Sequence, residues 1–308
     1  MHAFRVGAEH RHFVWDRDLP PALEAETGST ITLEVTNSSG GQIRPDSGLD
    51  DVRAFDLARV NPVTGPIYVR GAEPGDTLVV HVLSVDVGTW GWTANLPGFG
   101  LLADRFPKPH LRISRITDRY AELLSGIRVP LQPFVGTIGV AQAEPGSHPM
   151  LPPSKNGGNM DIRQVSAGSR LWLPVAVRGA LLSLGDSHAA QGDGEVCGAA
   201  VEVDSAVTVR LELLRGRHRA SPIVETHPVS GRSGRTVATT GIGPDLFEAS
   251  REATWHMIEV IVRETGIDPL DAYLLASVAG DLKISEVVDR PNWVVTMHLE
   301  KDIIAGVS

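Results

Sequence analysis

The chain has 308 residues, with 28 basic against 37 acidic side chains for a formal charge of −9, and its single cysteine is Cys197. An acidic chain without a basic cluster has no electrostatic footprint for nucleic acid and little attraction to an anionic membrane surface. One cysteine excludes an intramolecular disulfide and a thiolate cage, and no window reaches the ~20 apolar residues of a membrane helix.

In chain order, the polar start MHAFRVGAEHRHFVW does not read as a signal peptide, so the expected location is the cytoplasm. Residues 31–35 (ITLEV), 66–69 (PIYV) and 77–87 (TLVVHVLSVDV) lie between Gly, Pro and Asn clusters and read as strands. His81, inside the third, is expected to be structural. The corner Pro74-Gly75-Asp76 has a turn mechanism, since proline presets φ and glycine tolerates positive φ. The Trp- and Gly-rich stretch 88–109 lacks periodicity and reads as a surface excursion of the kind that forms lids or interfaces.

From Phe134 the chain is glycine-punctuated, with GTIGVA and RLWLPV as short strands around a Pro/Gly/Asn loop that ends in GGNMD at 157–161. His148 in that loop is a candidate lid contact. Residues 179–203, GALLSLGDSHAAQGDGEVCGAAVEV, gather Asp186, His188, Asp193, Glu195 and Glu202 between two apolar runs. Asp186 and His188 are two apart at a strand end, so extended geometry turns both to one side. The competing reading is a polar turn whose Asp residues accept backbone hydrogen bonds. Cys197, flanked by Val196 and Gly198, reads as a small residue packed in a strand.

The last quarter alone shows helical periodicity. Leu246, Ala249, Ala253, Met257 and Ile261 recur at spacings of three and four, with Asp245 placed as N-cap and Gly266 past the end. PLDAYLLASVAG reads as a second helix, and LKISEVVD and WVVTMHLE as a closing strand pair. The expected fold is mainly β, sandwich- or barrel-like, with a small α+β C-terminal portion. Its expected divisions are 1–130, 131–240 carrying the GGNMD and GDSHAAQGDGE motifs, and 241–308 packed on the same core.

G-x-S-x-G, phosphate-loop and H-E-x-x-H motifs are all missing from the sequence, which leaves metal- or carboxylate-assisted hydrolysis as the natural chemistry. A divalent ion on Asp186, His188 and Asp161 would keep a position for water, with Glu195 or Asp193 as general base and Asn159 beside the developing oxyanion. Imidazole favours zinc; calcium is the carboxylate-rich alternative.

The ordered blocks NPVTGPIYVRGAEPGD (61–76), PFVGTIGVA (133–141), GGNMD (157–161), LWLPV (171–175) and GALLSLGDSHAAQGDGEVCG (179–198) resemble the acetamidase/formamidase family from end to end. The resemblance implies a CUB-like sandwich unit, a homo-oligomer, and hydrolysis of short amides to acid and ammonia, with lactam hydrolases among the relatives. It also covers Asn159, Asp161, Asp186, His188, Asp193 and Glu195, and a His-x-x-Trp element at His12. The chain departs from the family at Thr36-Asn37-Ser38, where an acidic residue is expected, at Gln142, and at Ile284-Ser285-Glu286. The contrasting reading is a non-catalytic sandwich that binds a metal or small ligand through the same cluster.

Overall fold

The computed structural model describes residues 3–226 and 235–305. Two large sheets face each other across one apolar core. The first runs in the order Ala3–Val6, Thr30–Val35, Ser205–Leu214, Thr77–Val87, Arg170–Pro174, Ile223–Thr226, Thr236–Gly243, Trp293–Glu300 and Asp281–Glu286. The second follows Ile127–Pro130, Tyr120–Leu124, His110–Ile116, Trp90–Asn95, Glu202–Val203, Leu182–His188, Phe134–Gly139 and Gly157–Asn159, with Val63–Val69 branching from Leu182–His188. Both sheets mix strands from before and after residue 130.

Alternation explains the pairing. In Thr30–Val35 the isoleucine, leucine and valine at 31, 33 and 35 are buried and the residues between them are not, which is the pattern of a strand with one face on a core. Ile31, Leu33, Val80, Leu171 and Val209 of the first sheet meet Ile67, Val135, Ile138, Leu182 and Leu184 of the second. Leu182–His188 is buried along its whole length, as expected for a central strand covered on both faces.

The C-terminal portion follows its periodicity. The helix Leu246–Thr265 is capped by Asp245, whose carboxylate accepts from Glu248 N, and ends at Gly266 in the left-handed conformation. Its stripe Ala249, Ala253, Met257 and Ile261 packs on Val237, Val295 and Leu299. Gly241 lets the helix approach, because a Cβ there would collide with Ala249 O. Helix Pro269–Ala279 and the antiparallel pair Asp281–Glu286 and Trp293–Glu300 complete the unit.

Two sequence expectations need correction. The stretch 88–109 is only partly an excursion: Trp90–Asn95 pairs with His110–Ile116, and Trp92 is buried, because the aromatic ring fills a satellite core that composition alone does not reveal. The apolar run after Val196 forms a strand only at Glu202–Val203; the glycines keep residues 190–201 as a loop, and Cys197 sits in its turn. Among the described residues no helix is long and apolar enough to cross a membrane.

Candidate active site

Leu182–His188 is the spine of the site. Its neighbour Phe134–Gly139 contributes Gly136, where a Cβ would strike Asp161 Oδ1 and stand 2.8 Å from Asp186 O. Only glycine lets the two acidic loops close on one point. Asn61, Asp161, Asp186 and Glu195 all have φ between 43° and 50°, four of the six non-glycine residues with positive φ among the described residues. That conformation costs about 1–3 kcal/mol per residue and persists where surrounding structure imposes it, so its concentration here marks a built site.

As expected for residues two apart, Asp186 and His188 converge: His188 Nε2 lies 3.1 Å from Asp186 Oδ1 and 3.2 Å from Glu202 Oε2. Gln191 Oε1 accepts from His188 Nδ1 at 2.7 Å, and Gln191 Nε2 donates to Asp161 O. With its proton held on Nδ1, a neutral imidazole turns the Nε2 lone pair towards two carboxylates. Those groups repel unless a proton or a cation lies between them, which is the orientation of a metal-ligating histidine.

Asp161 is 3.7 Å from His188 Nδ1, and neither of its buried oxygens has a hydrogen-bond partner. Three overlapping sets each bring ligand atoms within 4.8 Å of one another: Asp161, Asp186 and His188; His188, Glu195 and Glu202; and Asp161, Glu195 and Asp289. The cluster thus suits a divalent cation with oxygen and imidazole ligands.

Asn159 is fixed at the rim of this cluster. Thr137 Oγ1 and Asn61 Nδ2 both bridge Asn159 Oδ1 and Asp186 Oδ2, while Asn159 Nδ2 donates to Asp289. Asp193 is not brought in. It pairs with Arg163 at 2.9 Å at an exposed position of the turn, outside the buried cluster. His148 bonds Glu144 O away from the site, and His12 joins Ser183 Oγ at 2.9 Å and Val14 O. His256 is structural, bonded to Thr240 O. Burial raises the Cys197 thiol above its ordinary range, the opposite of a reactive thiolate.

Electrostatics follow from the burial of many acids. Burial, then neighbouring Asp161, pushes Glu195 well above the usual carboxylate range, burial does the same to Asp161 and Asp289, and burial also raises Glu202. Burial pulls His188 down, but Glu202 and Asp186 outweigh it and hold the imidazole well above its ordinary value. Glu286, bonded to the N–H groups of Val288 and Asp289, is raised to about 7, first by burial.

Sequence reasoning missed Asp289, Asn61, Thr137 and Gln191, and gave Glu202 no role. Asp289 reaches the cluster only through the closing strand pair, and its local sequence carries no signal. Asn37, at the departure from the acidic family residue, accepts from Trp92 Nε1 and so positions the pocket wall. Ser38 donates to Glu202 Oε2 at 2.7 Å.

The carboxylates of the cluster line a cavity of ≈ 40 Å³ together with Phe55, Leu57, Val60, Trp92, Leu96 and Phe99. Residues 3–150 and 143–305 match the Acetamidase/Formamidase family. The chain belongs to that family. It is 29% identical to a putative formamidase of Schizosaccharomyces pombe, over 95% of this chain and 89% of that relative, and 28% identical to a formamidase of Methylophilus methylotrophus, over 95% and 90%. The crystal structure of a predicted acetamidase/formamidase from Thermoanaerobacter tengcongensis superposes with a TM-score of 0.91 at 31% identity, covering 99% of this chain and 98% of that one. As a family member, this chain carries its buried acidic cluster on the shared mainly β fold.

Proposed function

We propose that this chain hydrolyses the C–N bond of short linear amides, formamide or acetamide in kind, to a carboxylic acid and ammonia. The observation that carries the reading is the buried cluster of Asp161, Asp186, His188, Glu195, Glu202 and Asp289, whose five carboxylates line one small cavity. Family membership and the relatives' names support it.

Asp161, Asp186 and His188 are the residues we assign to a divalent cation, zinc by preference for the imidazole and calcium as the oxygen-rich alternative. Such an ion supplies Lewis acidity and lowers the pKa of a bound water to about 7. Glu195 then removes a proton from water as oxygen adds to the amide carbon. It returns that proton to the departing nitrogen, so the C–N bond breaks and ammonia leaves. Burial raises this carboxyl, which moves it in the direction that favours returning the proton to the leaving nitrogen. Asn159 spends one amide hydrogen on Asp289 and keeps the other for the carbonyl oxygen as charge develops. Asp193, held by Arg163, is assigned no proton transfer.

The test is ammonia release from formamide, acetamide, propionamide and a γ-lactam. Turnover of the linear amides is expected; turnover of the lactam alone would replace this reading.

We further propose a cytoplasmic homo-oligomer. Phe247, Trp255, Leu270, Tyr273 and Val278 are each more than half exposed on the C-terminal helix pair, a face more apolar than a lone monomer usually shows. Light scattering on the eluted protein checks it, and a monomer mass would refute it.

A further inference from the structure

We propose that Phe99 is a specificity-determining residue that limits the length of the acyl group entering the cavity, an assignment that rests on the amide-hydrolase reading above. The cavity has a polar side formed by the acidic cluster and Asn159, and an apolar side formed by Phe55, Leu57, Val60, Trp92, Leu96 and Phe99. An amide directed with its C–N bond at Glu195 has only this apolar side to receive its acyl chain.

Phe99 lies against the turn that carries the base. A Cβ on Gly198 would collide with the Phe99 ring, and Gly198 N donates to Glu195 O at 2.7 Å. The ring is therefore packed directly on the backbone that fixes Glu195. Its loop is pinned to the same turn: Leu101 N donates to Val196 O at 2.9 Å, and Gly100, at φ +92°, brings its Cα against the Cys197 backbone. At the far end Asn95 Nδ2 holds the carbonyls of Phe106 and Lys108 at 2.8 and 2.7 Å. A ring clamped at both ends of its loop cannot retreat cheaply from a longer substrate. Among the apolar lining residues Phe99 is the one tied to the turn of the base, so shortening it should open space beside Glu195 while leaving every acidic side chain in place.

The experiment compares kcat/KM for formamide, acetamide, propionamide and butyramide in the wild-type protein and in Phe99→Ala and Phe99→Leu. In the wild type, values should fall about tenfold or more for each methylene beyond the preferred length. Phe99→Ala should raise the ratio of butyramide to formamide kcat/KM at least about tenfold, whatever its effect on formamide itself, with Phe99→Leu between the two. An unchanged length profile in an alanine variant that still turns over formamide would overturn the assignment.

Calorimetric affinities for formate and butyrate give an independent arm. Should the wild type hydrolyse no amide, the amide-hydrolase reading fails, and the affinities still decide on Phe99. Butyrate binding that tightens relative to formate in Phe99→Ala supports the steric role; an unchanged ratio overturns it.

Discussion

Buried carboxylates in two regions of this molecule, one lone acid and one cluster, are balanced in opposite ways. Glu225, 3% exposed, accepts from Arg170, Arg235 and Lys301 at 2.5, 2.8 and 3.0 Å. Burial pushes it up, but the three cations outweigh that and bring it down to about 2. The site reverses the ratio: Asp161, Asp186, Glu195, Glu202, Asp289 and Glu286 are buried around one imidazole. Glu225 is a completed ion cluster. The acids of the site are completed only by protons or by a cation, so charge imbalance separates chemistry from architecture here.

The contrast is broken most sharply by removing the base. Glu195→Gln should lower kcat by about 10²–10⁴ while leaving the melting temperature unchanged or raised, because one repelling carboxylate disappears. A loss of stability equal to that of a core variant would make Glu195 architectural. His188→Ala and Asp161→Asn should each abolish stoichiometric binding of a divalent cation, read by metal analysis after dialysis; retention of a full equivalent would displace both from the ligand set. Glu225→Gln should do the reverse, leaving turnover intact and costing about 2–4 kcal/mol in denaturant unfolding, the order expected for breaking a buried ion cluster.

The smallest effect is in pH. Carboxyls raised on folding, and a raised His188, hold their protons more tightly in the folded chain, so they stabilise at low pH and that contribution drains as pH rises. With Glu286 moving from 4.5 to about 7, the metal-free protein should lose stability across that window. Glu225 works the other way, its contribution full above 4.5 and lost as pH falls through about 2. Thermal melts with and without a divalent cation read this: cation should flatten the decline, and equal slopes would dissociate the cluster from cation binding.

Local chemistry made much of this legible in the sequence. The helix Leu246–Thr265 follows from its stripe, its Asp245 cap and Gly266, and the two-residue spacing pairs Asp186 with His188, with Asp186 itself left-handed at φ 50°. What stayed hidden depends on long-range closure. Asp289 enters from the end of the molecule, Asn61 from a loop between N-terminal strands, and Trp92 turns an apparent excursion into a wall. Glu195 and Asp193, two apart in one glycine-rich turn, looked alike, and only the left-handed backbone at Glu195 separates the residue facing the cavity from the one paired with Arg163.

The most direct test of the imbalance is turnover against metal content: ammonia release from formamide, measured with bound metal quantified, after complete chelation, and after adding back single ions. Activity that falls with chelation and returns with one ion is the predicted result. Full activity in metal-free protein would contradict the account and leave carboxylates alone to carry the reaction.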